Sequence, residues 1–176
     1  MSQNFEHQAD RHQDCMNQAA AKNSKQPATF APRHIFNQIL AWSVIPTFDL
    51  VIAYGNQGII IVKRTIAPYK NQWALPGLRM YKGESIEGTI SRIARQELGL
   101  TIDPRKRTFL GQYVGRFRTE RNRQDISTGY YLEIPDKQPV ILNREHFSQY
   151  KTVNNAPKNM GAMYRFYIAQ CKKMNR

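Results

Sequence analysis

Residues 73–100 have the sequence WALPGLRMYKGESIEGTISRIARQELGL, and this stretch carries most of the information about the fold. In its second half, Ile86, Ile90 and Ile93 recur at the spacing of one apolar helix face. Gly99 follows, and a glycine in this position is typical of a helix end because it tolerates a left-handed conformation. The stretch therefore predicts a loop followed by a helix over residues 85–98.

One charged residue of this helix falls on its apolar face. Glu97 lies four residues after Ile93 and in the last helical turn, where the helix dipole disfavours an anion. A carboxylate there needs a cationic partner, and Arg92 and Arg95 lie on other faces of the helix. The position therefore indicates a metal ion or a buried ion pair, and we favour the metal. The alternative is a frayed helix end with Glu97 in solvent.

The rest of the chain predicts further strands and helices around this segment. Residues 35–42 suit a short helix or a first strand, residues 66–72 a loop, and residues 165–172 a last helix. Strands are predicted at residues 49–54, 58–63, 73–77, 109–117 and 129–134, the third of them ending in a turn at Gly77. Since strands and helices do not alternate regularly, we expect an α+β sandwich around a mixed sheet.

The charge of the chain indicates an anionic ligand. Its 176 residues include 26 Lys and Arg against 13 Asp and Glu, a formal net charge of +13. Such a surface attracts nucleic acid, anionic lipid or a phosphorylated small molecule. Residues 1–33 are rich in Gln, Asn, Ala and His and are predicted to be a flexible tail. The tail contributes little of the charge, so the excess belongs to the domain predicted over residues 34–176.

Two classes of protein are disfavoured by the composition. No run of apolar residues approaches the ~20 that a membrane span needs, and the first residues contain no apolar signal segment. Cys15 and Cys171 stand at opposite ends of the chain, which is not the pattern of a disulfide framework. We therefore expect a soluble protein of the cytoplasm.

Several positions in residues 73–100 resemble the Nudix box, G-x5-E-x7-R-E-U-x-E-E-x-G-U, in which U is an aliphatic residue. The positions that match in one register are Glu84, Arg92, Glu97, Gly99 and Leu100. The preceding Trp73-x-Leu-Pro-Gly77 is also similar to the strand that leads into the box. The resemblance implies the Nudix fold, an α/β/α sandwich around a mixed β-sheet.

Three positions depart from the box. Leu78 stands at its first glycine, a residue type that avoids positive φ, and Ile93 and Gln96 stand at two helix glutamates. Glu97 alone remains of the three helix carboxylates that typical Nudix pyrophosphohydrolases use for metal binding and water activation. This reduced pattern resembles the GDP-mannose mannosyl hydrolase branch. That branch hydrolyses GDP-mannose to GDP and mannose by attack of water at the anomeric carbon.

The resemblance to this branch implies a set of site residues, a cofactor and an assembly state. His146 would be the general base, Arg64 would assist departure of the diphosphate, and Asp49 would orient the sugar or an arginine. The implied substrate-binding residues are Arg79, Arg92, Tyr130 and Tyr150. The implied ligands of Mg²⁺, or of Mn²⁺ in its place, are the carbonyl of Gly77 and the side chains of Glu97 and Glu145. The substrate would be GDP-mannose or GDP-glucose, and the protein would be a homodimer.

Two other functions stay open at this point. A conventional Nudix pyrophosphohydrolase with fewer carboxylates would cleave within the diphosphate and give a sugar phosphate and GMP. A non-catalytic module would bind a ligand or RNA, because residues 105–123 hold seven basic residues interleaved with Phe109, Tyr113 and Phe117. A β-hairpin with its aromatic residues in the core explains the same pattern, and we favour it. Nucleic acid is therefore a disfavoured partner.

Overall fold

Seven strands form one mixed sheet in the part of the chain that the structure describes. The computed structural model describes residues 31–117 and 123–174, so nearly all of the predicted tail over residues 1–33 lies outside the described residues. The strands are β1 (Val44–Tyr54), β2 (Ile59–Arg64), β3 (Trp73–Ala74), β4 (Gly77–Arg79), β5 (Thr108–Phe117), β6 (Arg123–Ile134) and β7 (Phe147–Val153).

Strand β1 is the centre of the sheet. It runs parallel to β6 over its whole length, from the pair Val44–Gln124 to the pair Tyr54–Ile134. On its other side it pairs antiparallel with β2 and with β4. Strand β5 pairs antiparallel with β6, while β3 and β7 pair antiparallel with β2. The predicted mixed sheet is confirmed.

Three helices accompany the sheet within the described ranges: α1 (Arg33–Trp42), α2 (Ile86–Leu98) and α3 (Ala162–Met174). The hydroxyl of Ser85 caps α2 by accepting a hydrogen bond from the amide of Gly88, and Gly99 ends the helix with φ 67°. The predicted helix over residues 85–98 is therefore confirmed. Residues 33–42 form a helix, so the alternative of a first strand there is wrong.

The sheet lies between helices on its two faces. On one face, Tyr167 of α3 donates a hydrogen bond to the carbonyl of Ser127 in β6 at 2.7 Å. On the other face, Tyr130 of β6 is contacted by Arg107, which pairs with Glu87 of α2 at 2.7 Å. Ser127 and Tyr130 are three residues apart in β6, and residues an odd number of positions apart point to opposite faces of a sheet. Helices α2 and α3 therefore cover opposite sides. The predicted α/β/α sandwich is confirmed. None of these helices is long and apolar enough to cross a membrane.

The turn predicted at Gly77 is wrong, because residues 77–79 form β4 against β1. A Cβ atom on Gly77 would lie 2.3 Å from the Asp49 carboxylate and 2.5 Å from the Phe48 carbonyl oxygen, so the close approach of β1 requires a glycine. Leu78 pairs with Phe48 in the strand and is not among the described residues with positive φ. The loss of the box's first glycine therefore causes no backbone strain.

Strand β7 has no counterpart among the predicted strands. Its sequence FSQYKTV is polar, and residues 148–151 are exposed at the edge of the sheet beside β2. An edge strand that buries only its first residue shows little apolar alternation, which is the signal that identifies strands in a sequence. The strand matters for the site because it begins directly after His146.

We expect Gly129→Ala to lower the free energy of unfolding by on the order of 2 kcal/mol, because the added methyl group would overpack the core. A Cβ atom there would lie 2.3 Å from the ring of Tyr167. Urea denaturation measures the loss. Gly83→Ala is the control, since no atom lies within 4 Å of its Cβ position and only its φ of 85° opposes a side chain. An unchanged free energy of unfolding in Gly129→Ala would contradict the packing argument, whereas a loss in Gly83→Ala measures backbone strain alone.

Candidate active site

The clearest polar contact near the end of α2 joins Glu97 to His146. The Glu97 side chain is 1% exposed, and both its carboxylate oxygens lie 2.9 Å from Nδ1 of His146. The imidazole is more open, with 27% of its side chain exposed. The pair thus combines a buried carboxylate with a histidine that reaches the surface.

The loop before β7 is fastened to the end of α2 by its own backbone. The amide of Ile141 donates to the carbonyl of Leu98 at 2.8 Å, and the amide of Asn143 donates to the carbonyl of Glu97 at 3.0 Å. The side-chain amide of Asn143 donates to a Glu97 carboxylate oxygen at 3.1 Å. These bonds satisfy carbonyls that a helix end leaves without partners, and they hold His146 beside Glu97.

This arrangement fixes the chemistry of the imidazole. The hydrogen bond to Glu97 raises the pKa of His146 above its ordinary value of 6.5, although burial and the charge of Arg64 oppose the rise. With Nδ1–H donating to the carboxylate, the neutral ring carries its lone pair on Nε2, where it can accept a proton. A histidine held in this way is suited to act as a general base.

The contacts of Glu97 can be compared with the three environments expected from the sequence: a metal ion, a buried ion pair or solvent at a frayed helix end. The carboxylate is buried, so the frayed helix end is wrong. Its side-chain partner is His146, which forms an ion pair with it when the imidazole is protonated, while Arg92 pairs with Glu84; the metal that we favoured stays a prediction. The sequence could not identify this partner, because 49 residues separate the two side chains.

Asp49 lies buried under α3 and beside Gly77. It accepts a hydrogen bond from the hydroxyl of Ser127, which also contacts Tyr167. Burial raises the pKa of Asp49 to about 7, against the lowering effects of the Ser127 hydrogen bond and of the charge of Arg64. Asp49 and Gly77 are thus brought together, as strand partners at one position of the sheet.

Arg64 lies within electrostatic reach of both titratable groups, because its charge opposes the rise in pKa of Asp49 and of His146. Its guanidinium donates to the carbonyls of Pro68 at 2.6 Å and Ala67 at 3.1 Å, so it orders the loop after β2. Arg64 is thus the predicted catalytic residue whose charge acts on the other two, Asp49 and His146.

Arg79 and Arg92 form a second group at the start of α2. Arg92 is 8% exposed, and its guanidinium donates to both Glu84 carboxylate oxygens, at 2.5 and 2.8 Å, and to the Arg79 carbonyl at 2.9 Å. These bonds with Arg92 hold the pKa of Glu84 down at about 2. The rings of Tyr81 and Phe36 contact the Arg79 guanidinium, with Cζ at 5.5 and 4.1 Å from their centroids. Arg92 thus has the contacts of a residue that positions Arg79.

The remaining predicted residues lie around these two groups. Glu145 is exposed, and its charge adds to the rise in the pKa of its neighbour His146. Tyr130 is buried on the α2 side of the sheet, where burial raises its pKa and Arg107 contacts it. Tyr150 is 42% exposed in β7. The roles assigned to these residues stay predictions.

The predicted metal ligands suit an ion that is bound jointly by the protein and the phosphates of the substrate. Within residues 31–117 and 123–174, no three His, Cys, Asp or Glu side chains are grouped to hold a metal ion by themselves. Mg²⁺ is commonly bound through one or two carboxylates and completed by substrate phosphates. Glu97, which contacts His146, and Glu145, the preceding residue in the chain, are the predicted carboxylate ligands, and the carbonyl of Gly77 is the third.

The described part of the basic segment, residues 105–117 and 123, lies largely in the antiparallel pair of β5 and β6. Three of its arginines pair with carboxylates: Arg105 with Asp103, Arg107 with Glu87, and Arg123 with Asp125. Phe117 is buried, Tyr113 packs on α3 through Phe166, and Phe109 is exposed. Among the described residues, three of the basic and two of the aromatic residues thus have structural partners; the expectation of aromatic residues in the core is wrong for Phe109, and RNA binding stays an untested alternative.

Sequence reasoning missed Asn143 and the two rings that contact Arg79. Asn143 carries no motif, and its contact with Glu97 depends on a loop that returns 46 residues later. Phe36 and Tyr81 lie on either side of β1 in the chain and meet only in the folded protein. Only the spacing of Asn143, three residues before His146, could have drawn attention to it.

Comparison with known proteins gives three kinds of likeness. The model of the NUDIX domain matches residues 45–167. The low-salt glycan biosynthesis protein Agl8 of Haloferax volcanii is 32% identical over 85 residues, which cover 47% of this chain and 54% of that protein. The ADP-ribose pyrophosphatase of Methanocaldococcus jannaschii is 29% identical over 110 residues, which cover 62% of this chain and 63% of that protein.

The fold is also found among solved structures. The crystal structure of the MutT protein from Methanosarcina mazei matches with a TM-score of 0.64 and 18% identity, covering 76% of this chain and 96% of that one. Identity at this level supports the fold alone. The chain spans only 54% and 63% of the length of the two curated relatives.

We expect Glu84→Gln to lower the free energy of unfolding at pH 7 by on the order of 2 kcal/mol. Because the pKa of Glu84 is lowered to about 2, its stabilising effect is complete above pH 4.5 and disappears as the pH falls towards 2. Urea denaturation at several pH values measures this. The difference from the wild type should narrow over that range, and Glu87→Gln, at an exposed pair, should show a smaller effect. A difference independent of pH would contradict the ionic contribution.

Proton NMR of EDTA-treated protein should give a pKa for His146 above 6.5, and Glu97→Gln should lower it. Because the pKa is raised, the pair stabilises the fold at low pH, and this contribution is lost as the pH rises through the folded value. His146→Gln assigns the signal. If Glu97 also binds metal, Mg²⁺ should lower the pKa in the wild type but not in Glu97→Gln. An unchanged pKa in Glu97→Gln would contradict the contact.

Proposed function

We propose that this chain, which belongs to the NUDIX domain family, hydrolyses a nucleotide sugar, GDP-mannose or GDP-glucose, to GDP and free sugar. The observation that carries the proposal is the pair of Glu97 and His146, whose contact at 2.9 Å gives the protein an oriented base. Of the box's three helix carboxylates only Glu97 is present, since Ile93 is part of the core and Gln96 is uncharged.

The proposed reaction needs one base and one leaving group. A water oxygen forms a bond to the anomeric carbon while a water proton passes to Nε2 of His146. The bond from that carbon to the diphosphate oxygen breaks, and its electron pair leaves with GDP. Glu97 stabilises the imidazolium that forms, as a carboxylate on Nδ1 does in other histidine bases.

The remaining residues would bind the diphosphate and the sugar. Arg64 and Arg79 would stabilise the charge that develops on the leaving group, and Arg92 would hold Arg79 in place. Asp49, Tyr130 and Tyr150 are assigned to substrate contact or orientation. We propose that the protein acts in the cytoplasm, as expected from its composition, and as a homodimer, as the resemblance implies.

Members of this family typically use divalent metals. Gly77, Glu97 and Glu145 would hold Mg²⁺ or Mn²⁺ here, and the bound ion would neutralise charge on the diphosphate. A carboxylate has two oxygens and about four lone-pair sites, so Glu97 can contact both an imidazole and a metal.

Hydrolysis within the diphosphate is the second candidate reaction. The relative named ADP-ribose pyrophosphatase supports this reaction. The relative named for glycan biosynthesis supports a sugar-containing substrate. Attack at phosphorus commonly uses several metals, and this chain keeps only Glu97 of the box's three helix glutamates to hold them. We therefore place attack at carbon first.

Turnover of GDP-mannose with Mg²⁺ in ¹⁸O-labelled water should place the label in the free sugar. Mass spectrometry of the products measures this. His146→Gln should lower kcat by about 10²- to 10⁴-fold, because it removes the general base.

The matched control is His34→Gln, which changes an exposed histidine of α1. Its activity should equal that of the wild type. Label in a phosphate group, with GMP and a sugar phosphate as products, would replace this proposal by the pyrophosphohydrolase. Full activity of His146→Gln would remove His146 from the mechanism.

A further inference from the structure

Helix α1 lies outside the region that the NUDIX model matches, which begins at residue 45. No residue of α1 is buried, so the helix adds little to the core. Its side chain Phe36 nevertheless lies against Arg79, with the guanidinium carbon 4.1 Å from the ring centroid. A helix that is not needed for the core thus contacts a residue of the proposed site.

The position of Arg79 is restrained at two levels. Its carbonyl accepts a hydrogen bond from Arg92, which Glu84 holds in turn, so the backbone is fixed to the start of α2. Its guanidinium contacts the ring of Phe36 and, at 5.5 Å, the ring of Tyr81. The backbone restraint comes from the box region, and the closer ring comes from α1.

Stacking and anion binding use different parts of a guanidinium. An aromatic ring contacts its flat face, whereas the five N–H donors radiate from its edge in the plane that binds a phosphate. An arginine side chain also loses much rotamer freedom when it binds a ligand. A ring that already restrains the side chain reduces that cost, which raises the affinity without a new ligand contact.

We propose that Phe36 is a positioning residue that sets the affinity for the diphosphate by restraining Arg79. The inference rests on the proposed function, because it takes Arg79 to be a diphosphate-binding residue. It makes α1 part of the substrate site, together with the domain that begins at β1.

Calorimetric titration with GDP and Mg²⁺ tests the proposal without requiring turnover. Phe36→Ala should weaken GDP binding by roughly 3- to 30-fold, the range expected for a lost cation–π contact. Phe36→Tyr keeps a ring and should bind within about twofold of the wild type. Ile39→Ala, one turn further along α1, is the matched control and should leave binding unchanged.

A double-mutant cycle separates a positioning role from a general effect on the fold. If Phe36 acts through Arg79, Phe36→Ala should have no further effect on GDP binding in an Arg79→Met background. Where turnover is measured, Phe36→Ala should raise KM in the same proportion and change kcat by less than about twofold. Thermal denaturation should give similar midpoints for Phe36→Ala and Ile39→Ala.

The outcomes distinguish this inference from the proposed reaction. Equal GDP affinity in the wild type and Phe36→Ala, additive effects of Phe36→Ala and Arg79→Met, or no GDP binding by the wild type would overturn the inference. Normal GDP binding with the expected losses but no release of free mannose would overturn the proposed reaction and support the role of Phe36.

Discussion

The burial of the Glu97 carboxylate in the last turn of α2 is the constraint on which the rest of the site depends. A charge at 1% exposure, placed where the helix dipole opposes it, is stable only with hydrogen-bond donors close by. His146 and Asn143 supply them, and the loop that carries both also satisfies the carbonyls of Glu97 and Leu98. The same loop is tied to the end of β2 where Thr65 donates to the carbonyl of His146 at 2.8 Å. One electrostatic requirement therefore joins α2, β2 and the start of β7 around the imidazole.

The distribution of the net charge of +13 depends on where the acidic residues of the chain lie. Within the described residues, Glu84, Glu87, Asp103 and Asp125 each pair with a nearby arginine. Because each of these carboxylates offsets the charge of an arginine, the excess positive charge lies on other basic side chains. The guanidinium of Arg64 contacts the carbonyls of Pro68 and Ala67, which do not neutralise a positive charge. We therefore expect Arg64, whose charge acts on both Asp49 and His146, to contribute to the attraction of an anion to the proposed site.

The parts of the fold that the sequence predicted are those with a strong local signal. The apolar spacing of Ile86, Ile90 and Ile93, with Gly99 behind it, predicted α2 to within one residue. Strand β7 and the strand at Gly77 were not predicted, because the first is polar and the second depends on how closely Asp49 approaches. The residues of the candidate site also differ in whether a local sequence signal identifies them. Glu97 attracted attention through a local conflict with its own helix, whereas its partner became visible only when the loop over residues 141–147 was folded against it.

A motif carried over to a new chain assigns positions more securely than it assigns roles. Arg92 stands where the resemblance implies a substrate-binding arginine, yet its contacts are Glu84, the Arg79 carbonyl and the ring of Tyr81 at 3.8 Å. A guanidinium that is 8% exposed and already holds a carboxylate at two points would have to break those bonds to bind a phosphate. The backbone carbonyl of Arg79 is held by Arg92, and the rings of Phe36 and Tyr81 contact its guanidinium. These contacts support our proposal that Arg92 positions Arg79 and that Arg79 binds the diphosphate, and no spacing rule contains them.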